Sequence, residues 1–74
     1  MGWLWLIGFR IRRAWNKRRR DIDLRILWPV CVEQAPDLDA ARFCFYVHAM
    51  MDPAWKELGE DVIMAFCEQL EPPP

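Results

Sequence analysis

Residues 37–55 read DLDAARFCFYVHAMMDPAW, and the spacing of their apolar side chains decides the fold. Leu38, Ala41, Phe45 and His48 recur at intervals of three and four, with Cys44, Val47 and Met51 nearby, which puts them on one face of an α-helix. Asp37 or Asp39 supplies a carboxylate for the amide groups that a helix start leaves unpaired. The helix is predicted to end near Met51. Asp52 followed by Pro53 repeats the start signal, a capping side chain and then a proline at the first helical position, and opens a short turn through Trp55 and Leu58 that Gly59 closes.

Working outward, the stretch from Glu60 to Leu70 is predicted to be a last helix with Val62, Ile63, Phe66, Cys67 and Leu70 on its inner stripe. Glu60 and Asp61 suit the positive end of its dipole. Pro72, Pro73 and Pro74 stop it. On the other side, Asp21 to Val32 alternates: Ile22, Leu24, Ile26, Trp28, Val30 and Val32 would share one side of a strand, with Asp21, Asp23 and Arg25 opposite. Pro29 cannot donate to a ladder, so such a strand lies at an edge or ends near Trp28. It would also need a second strand for its backbone hydrogen bonds. The opening MGWLWLIGFRIRRAWNKRRR fits two patterns. As a helix it stacks Trp3, Ile7, Ile11 and Trp15 at intervals of four; as a strand it alternates through Phe9–Arg12 and turns at Asn16 and Lys17. Helix is preferred. The expected fold is mainly α, a small helical domain whose alternative is a single edge strand or an N-terminal β-hairpin. Its parts are a basic amphipathic arm (1–20), the helical domain (21–71) and a proline tail (72–74).

Seventy-four residues make one domain at most, and chains of this size bury only about 60% of the surface their unfolded form exposes. A content of 54% apolar residues with five tryptophans is too hydrophobic for a disordered chain. The net charge of −1 conceals a division. Residues 1–20 hold seven cations and no acid, whereas residues 21–74 hold all eleven acids against Arg25, Arg42 and Lys56, a net of −8. Such a dipole suits a polyanionic partner for the arm, or neutralisation of the arm by the body.

Three cysteines without paired spacing do not form a secreted disulfide framework, so a reducing cytosol is expected. The apolar run Trp3–Phe9 is far shorter than the roughly 20 residues a membrane-spanning helix needs. Its cations follow rather than precede it, the reverse of a secretory signal.

Among candidate sites the arm comes first. Arg10, Arg12, Arg13, Lys17, Arg18, Arg19 and Arg20, with Trp15 among them, suit phosphate contacts on a nucleic acid or the headgroup level of an anionic membrane. The plainer reading is a solubilising face. A metal set of Cys31, Cys44, His48 and Cys67 has zinc-compatible ligand types, but only Cys44 and His48 lie close in sequence. Buried cysteines in a core are the plainer account, and no metal or other cofactor is expected. Catalysis lacks a third group to orient Cys44 and His48, and the isolated glycines form no phosphate loop. The protein is therefore read as a non-enzyme. Trp28, Phe43, Phe45, Tyr46, Trp55 and Phe66 are most simply core. Yet the central helix is apolar on more than one side, which marks Trp28, Phe43, Tyr46, Met50 and Trp55 as candidates for a protein-binding or self-association face.

The block Ile26–Pro29 with Cys31, the run Ala35–Pro36–Asp37–Leu38–Asp39, His48, and Asp52–Pro53–Ala54–Trp55 with Leu58 and Gly59 resemble short bacteriophage and prophage proteins of proteobacteria, over residues 22 to 66. No activity comes with that group. The resemblance implies only a phage or prophage setting and so a host-cytoplasmic, membrane-associated or virion location. Three functions are open: an interaction protein that binds a host or virion protein through its aromatic face, a nucleic-acid-binding accessory protein, and a peripheral membrane protein anchored by Trp3, Leu4, Trp5, Leu6 and Ile7.

Overall fold

The computed structural model describes residues 2–73, the side chains of residues 2–7 and Phe9 excepted. Helix α1 spans Gly2–Ile22, a π-helical segment continues it through Asp23–Leu27, and α2 covers Trp28–Gln34. Then come α3 (Leu38–Met51), the single turn α4 (Pro53–Lys56) and α5 (Glu60–Glu68). The chain is mainly helical, as its central period predicts.

The first three elements form one rod, because Ile22, Leu27 and Trp28 all keep right-handed helical backbone angles. Thirty-three residues at a rise of about 1.5 Å make a rod roughly 50 Å long, which accounts for the molecular dimensions of 51 × 22 × 17 Å. Pro29 explains where the rod loosens. In a regular α-turn its ring would press on the carbonyl four residues back, and it has no N–H to give. The turn just before it is widened instead, so that Trp28 N–H donates to the Asp23 carbonyl five residues earlier.

No strand occurs among the described residues, which corrects the edge-strand and hairpin alternatives. The alternation in residues 21–32 overlies a second set, Leu24, Leu27, Trp28, Cys31 and Ala35, spaced by three and four. The structure packs this second set on the core and exposes Ile22, Ile26 and Val30. A helix pairs its backbone groups within the segment, whereas a strand here would have had no neighbour.

Short-range signals then shape the body. Ala35 is extended, as the residue before a proline should be, and the Asp37 carboxylate accepts from Ala40 N–H at 2.7 Å to start α3. The α3 face carrying Ala41, Phe45 and Ala49 is fully buried. Gly59, at φ 91°, makes the left-handed turn into α5 that a side chain would strain, and α5 buries Ile63 and Cys67. Val62 and Phe66, expected on the inner stripe, stay exposed at 52% and 37%, because so short a helix covers α3 with a single narrow face. At the centre Phe45 meets Trp28 edge-on at 5.9 Å and Trp55 edge-on at 5.3 Å. Trp28 Nε1–H donates to the Glu71 carbonyl at 2.8 Å, which ties the C-terminal end across the core.

Phe45 is the side chain that both tryptophans share. Phe45→Ala should cost about 3–5 kcal/mol, measured by urea denaturation of the two proteins; a loss below about 1 kcal/mol would contradict this account of the core.

Candidate functional site

The outer face of the rod presents apolar side chains to solvent. Ile11, Trp15, Ile22, Ile26 and Val30 are between 41% and 67% exposed. Their intervals of four, seven, four and four place them along one side of a helix. Arg10, Arg12, Lys17 and Arg18 are exposed beside them, and Arg18 lines a shallow hollow with Trp15, Arg19 and Ile22. The proposed anchor Trp3, Leu4, Trp5, Leu6 and Ile7 lies outside the described side chains.

The opposite face of α1 rests on α4. Asn16 Nδ2–H donates to Glu57 Oε2, and Arg20 Nη1–H donates to the Ala54 carbonyl at 2.6 Å while lying 3.6 Å from Glu57. Arg19 lies 3.5 Å from Asp52 with its side chain still 55% exposed. Arg19 and Arg20 are thus turned to the body's own acids, so the cationic face expected of all seven residues is smaller than the sequence suggested. Arg13 is exposed and flanks the cleft between α1 and α4 with Arg12, Asn16 and Lys56.

Where rod and body meet, three polar side chains converge. Asp23 opens the π-helical segment, His48 sits in the last turn of α3, and Asp52 caps α4 by accepting from Ala54 N–H at 2.9 Å. His48 Nε2 is 3.5 Å from Asp23 and 3.7 Å from Asp52. Trp55 Nε1–H donates to Asp23 at 2.9 Å. Sequence reasoning marked His48 but neither aspartate as site residues. The spacing of four between His48 and Asp52 was visible; Asp23 was hidden by its assignment to a strand.

The four thiol and imidazole candidates do not come together. Cys31 and Cys44 approach to 3.8 Å between sulfurs, His48 faces the aspartates, and Cys67 packs in the core. Burial first, then the neighbouring Cys44, pushes the Cys31 thiol up to about 11. Burial also raises Cys67. Both are protonated near neutral pH, the reverse of an activated nucleophile. The aromatic face is corrected too: Trp28 and Trp55 are 5% and 2% exposed and belong to the core, with Tyr46 and Met50 packed against it. Phe43 alone of the five is largely exposed, at 67%. It borders a groove between α3 and α5 with Tyr46 and Met64.

No helix among the described residues is long and apolar enough to cross a membrane. No family model, curated protein or solved structure matches the chain.

The raised thiols set a pH dependence. An unfolded cysteine ionises near 9, whereas folded Cys31 keeps its proton to about 11. The native state therefore binds more protons in that interval, and its stability, fully present below pH 9, falls as pH rises toward 11. Melting temperature should decline across that window, and less steeply in Cys31→Ala; equal slopes in the two proteins would refute the assignment.

Proposed function

We propose that this protein is a small non-enzymatic module that docks on an anionic membrane surface through the outer face of its N-terminal rod. The reading rests on one observation, the row Ile11, Trp15, Ile22, Ile26 and Val30 exposed beside cations on a single long helix. A basic helix with an apolar face suits the boundary between headgroups and acyl chains, where tryptophan also sits well. A nucleic acid would use the cations and leave three isoleucines in water. The acidic body is repelled by the same surface, so the charge division orients the molecule with the rod inward and the body outward. A phage or prophage setting would make the host's cytoplasmic leaflet the relevant face, and a host or virion protein the partner of the body.

A second reading, protein binding by the body, draws support from Phe43. It stands exposed at the rim of an apolar groove that also holds Met64, itself 43% exposed.

Flotation with phosphatidylglycerol vesicles, compared with phosphatidylcholine, tests the first reading. The wild type should float with the anionic vesicles. Trp15→Ser with Ile26→Ser, both at exposed positions, should weaken partition by about 100-fold or more, given roughly 1.5–3 kcal/mol for each large apolar side chain fully removed from water. Lys17→Gln with Arg18→Gln should weaken it by roughly 30-fold at about 1 kcal/mol per cation. Undiminished flotation of the serine variant would reject the docking face, and binding that follows only the cations and transfers to DNA would favour the nucleic-acid reading.

A further inference from the structure

We propose that Asp23, His48 and Asp52 form a binding site for one divalent transition-metal ion of the zinc type, at the joint between rod and body. The site adjoins the docking face at Trp15 and does not depend on it. One imidazole nitrogen and two carboxylate oxygens lie within 4.8 Å of one another, and they come from three places in the fold: the π-helical segment, the end of α3 and the cap of α4.

Two observations point to an ion rather than to hydrogen bonds alone. His48 Nε2 stands 3.5 and 3.7 Å from the two carboxylates, beyond the roughly 2.7–3.2 Å of an N–H···O bond. Donors about 2.0–2.2 Å from a shared tetrahedral ion stand roughly 3.3–3.6 Å apart, close to the separations found. The second observation is that Nε2 is itself shielded from solvent and has no hydrogen-bond partner, although the side chain as a whole is 38% exposed. In the tautomer that leaves Nε2 unprotonated, its lone pair faces two carboxylate acceptors, neither of which can donate to it. A cation satisfies all three donors at once.

The surroundings are those that hold metal ligands in place. Trp55 Nε1–H fixes Asp23, and Ala54 N–H holds Asp52 Oδ1, which leaves Oδ2 turned to His48 and Arg19. Such outer hydrogen bonds orient ligating carboxylates. A hollow lined by Trp15, Asn16, Arg19 and Met51 adjoins His48 and Asp52 and gives a fourth, water ligand room. The one opposing feature is Arg19, a resident cation 3.5 Å from Asp52 Oδ2 that competes with the metal and must swing outward. One nitrogen and two oxygens suit zinc, cobalt or nickel better than calcium, which takes six to eight oxygens.

Chelator-treated full-length protein titrated with Zn2+ at neutral pH, followed by calorimetry and by thermal melting, tests the site. One equivalent should bind and raise the melting temperature. His48→Gln and Asp23→Asn should each weaken affinity by at least the roughly 10–100-fold that loss of an outer-shell partner costs. Cys44→Ser should leave it unchanged, and Arg19→Gln should tighten it. The Co2+ complex should show no sulfur-to-metal charge-transfer band. If His48→Gln fails to give the wild-type circular dichroism spectrum, Asp23→Asn and Arg19→Gln decide. Absence of saturable binding to the wild type, affinity unaltered by both ligand variants, or a dependence on Cys44 would overturn the site and leave a histidine ion-paired with two aspartates.

Discussion

Trp55 ties the aromatic core to the joint where rod and body meet. Its ring meets Phe45 edge-on at 5.3 Å and Phe66 at 5.4 Å, while its indole N–H reaches out of the core to the Asp23 carboxylate. Aromatic pairs contribute about 0.5–1.5 kcal/mol beyond the area they bury, and a hydrogen bond to a charged group about 1.5–3 kcal/mol. In a thin core those are large shares of the total. The polar attachments of α1 also end on α4 or its caps, through Asn16, Arg19 and Arg20, while α2 packs on α3 through Trp28 and Cys31. A helix of one turn therefore anchors α1, the longest part of the rod. That turn exists because Asp52 accepts from Ala54 N–H and Pro53 is already set for a first helical position.

The parts legible in the sequence were those governed by local rules. The Asp37 cap, the Asp52–Pro53 restart, the Gly59 turn and the α3 face with Ala41 and Phe45 all follow from side-chain chemistry within four residues. The segment 21–32 was ambiguous because its apolar residues satisfy both a period of two and a helical period. Only tertiary packing selects between them, and it selected the set containing Trp28 and Cys31. The same misreading hid the joint. A carboxylate 25 residues from His48 in sequence is placed by the course of the rod, and no spacing rule reaches that far. Trp28 and Trp55, most simply core, also stood as candidates for a binding face for a related reason: both have a polar N–H that a core must satisfy, and the Glu71 carbonyl and the Asp23 carboxylate that do so are distant in sequence.

Charge segregation survives in the fold, with a division of labour inside the arm. Arg20, its side chain 17% exposed, works as a brace: it satisfies the Ala54 carbonyl and lies against Glu57. Arg19 is shared between brace and surface. Exposed pairs are worth little singly, so these contacts matter through their concentration on one short helix. Beyond roughly a Debye length of 8–10 Å at physiological salt, the acids of the body are screened from the outer cations of the rod. The body then orients the molecule without neutralising its basic end.

The π-helical turn reconciles these demands. An α-helix advances about 100° per residue, and a turn that takes in one residue more rotates everything before it relative to everything after it by roughly that angle. The widened turn lies between the face of α1 that packs on α4 and the face of α2 that packs on α3. With it, Trp28 and Cys31 enter the core while Asn16, Arg20 and Asp23 face α4, and the surplus apolar residues Ile22 and Ile26 fall on the outside in line with Ile11 and Trp15. The π-helical segment also places Asp23 against Trp55 and His48. Pro29, just after that segment, makes a regular turn costly there.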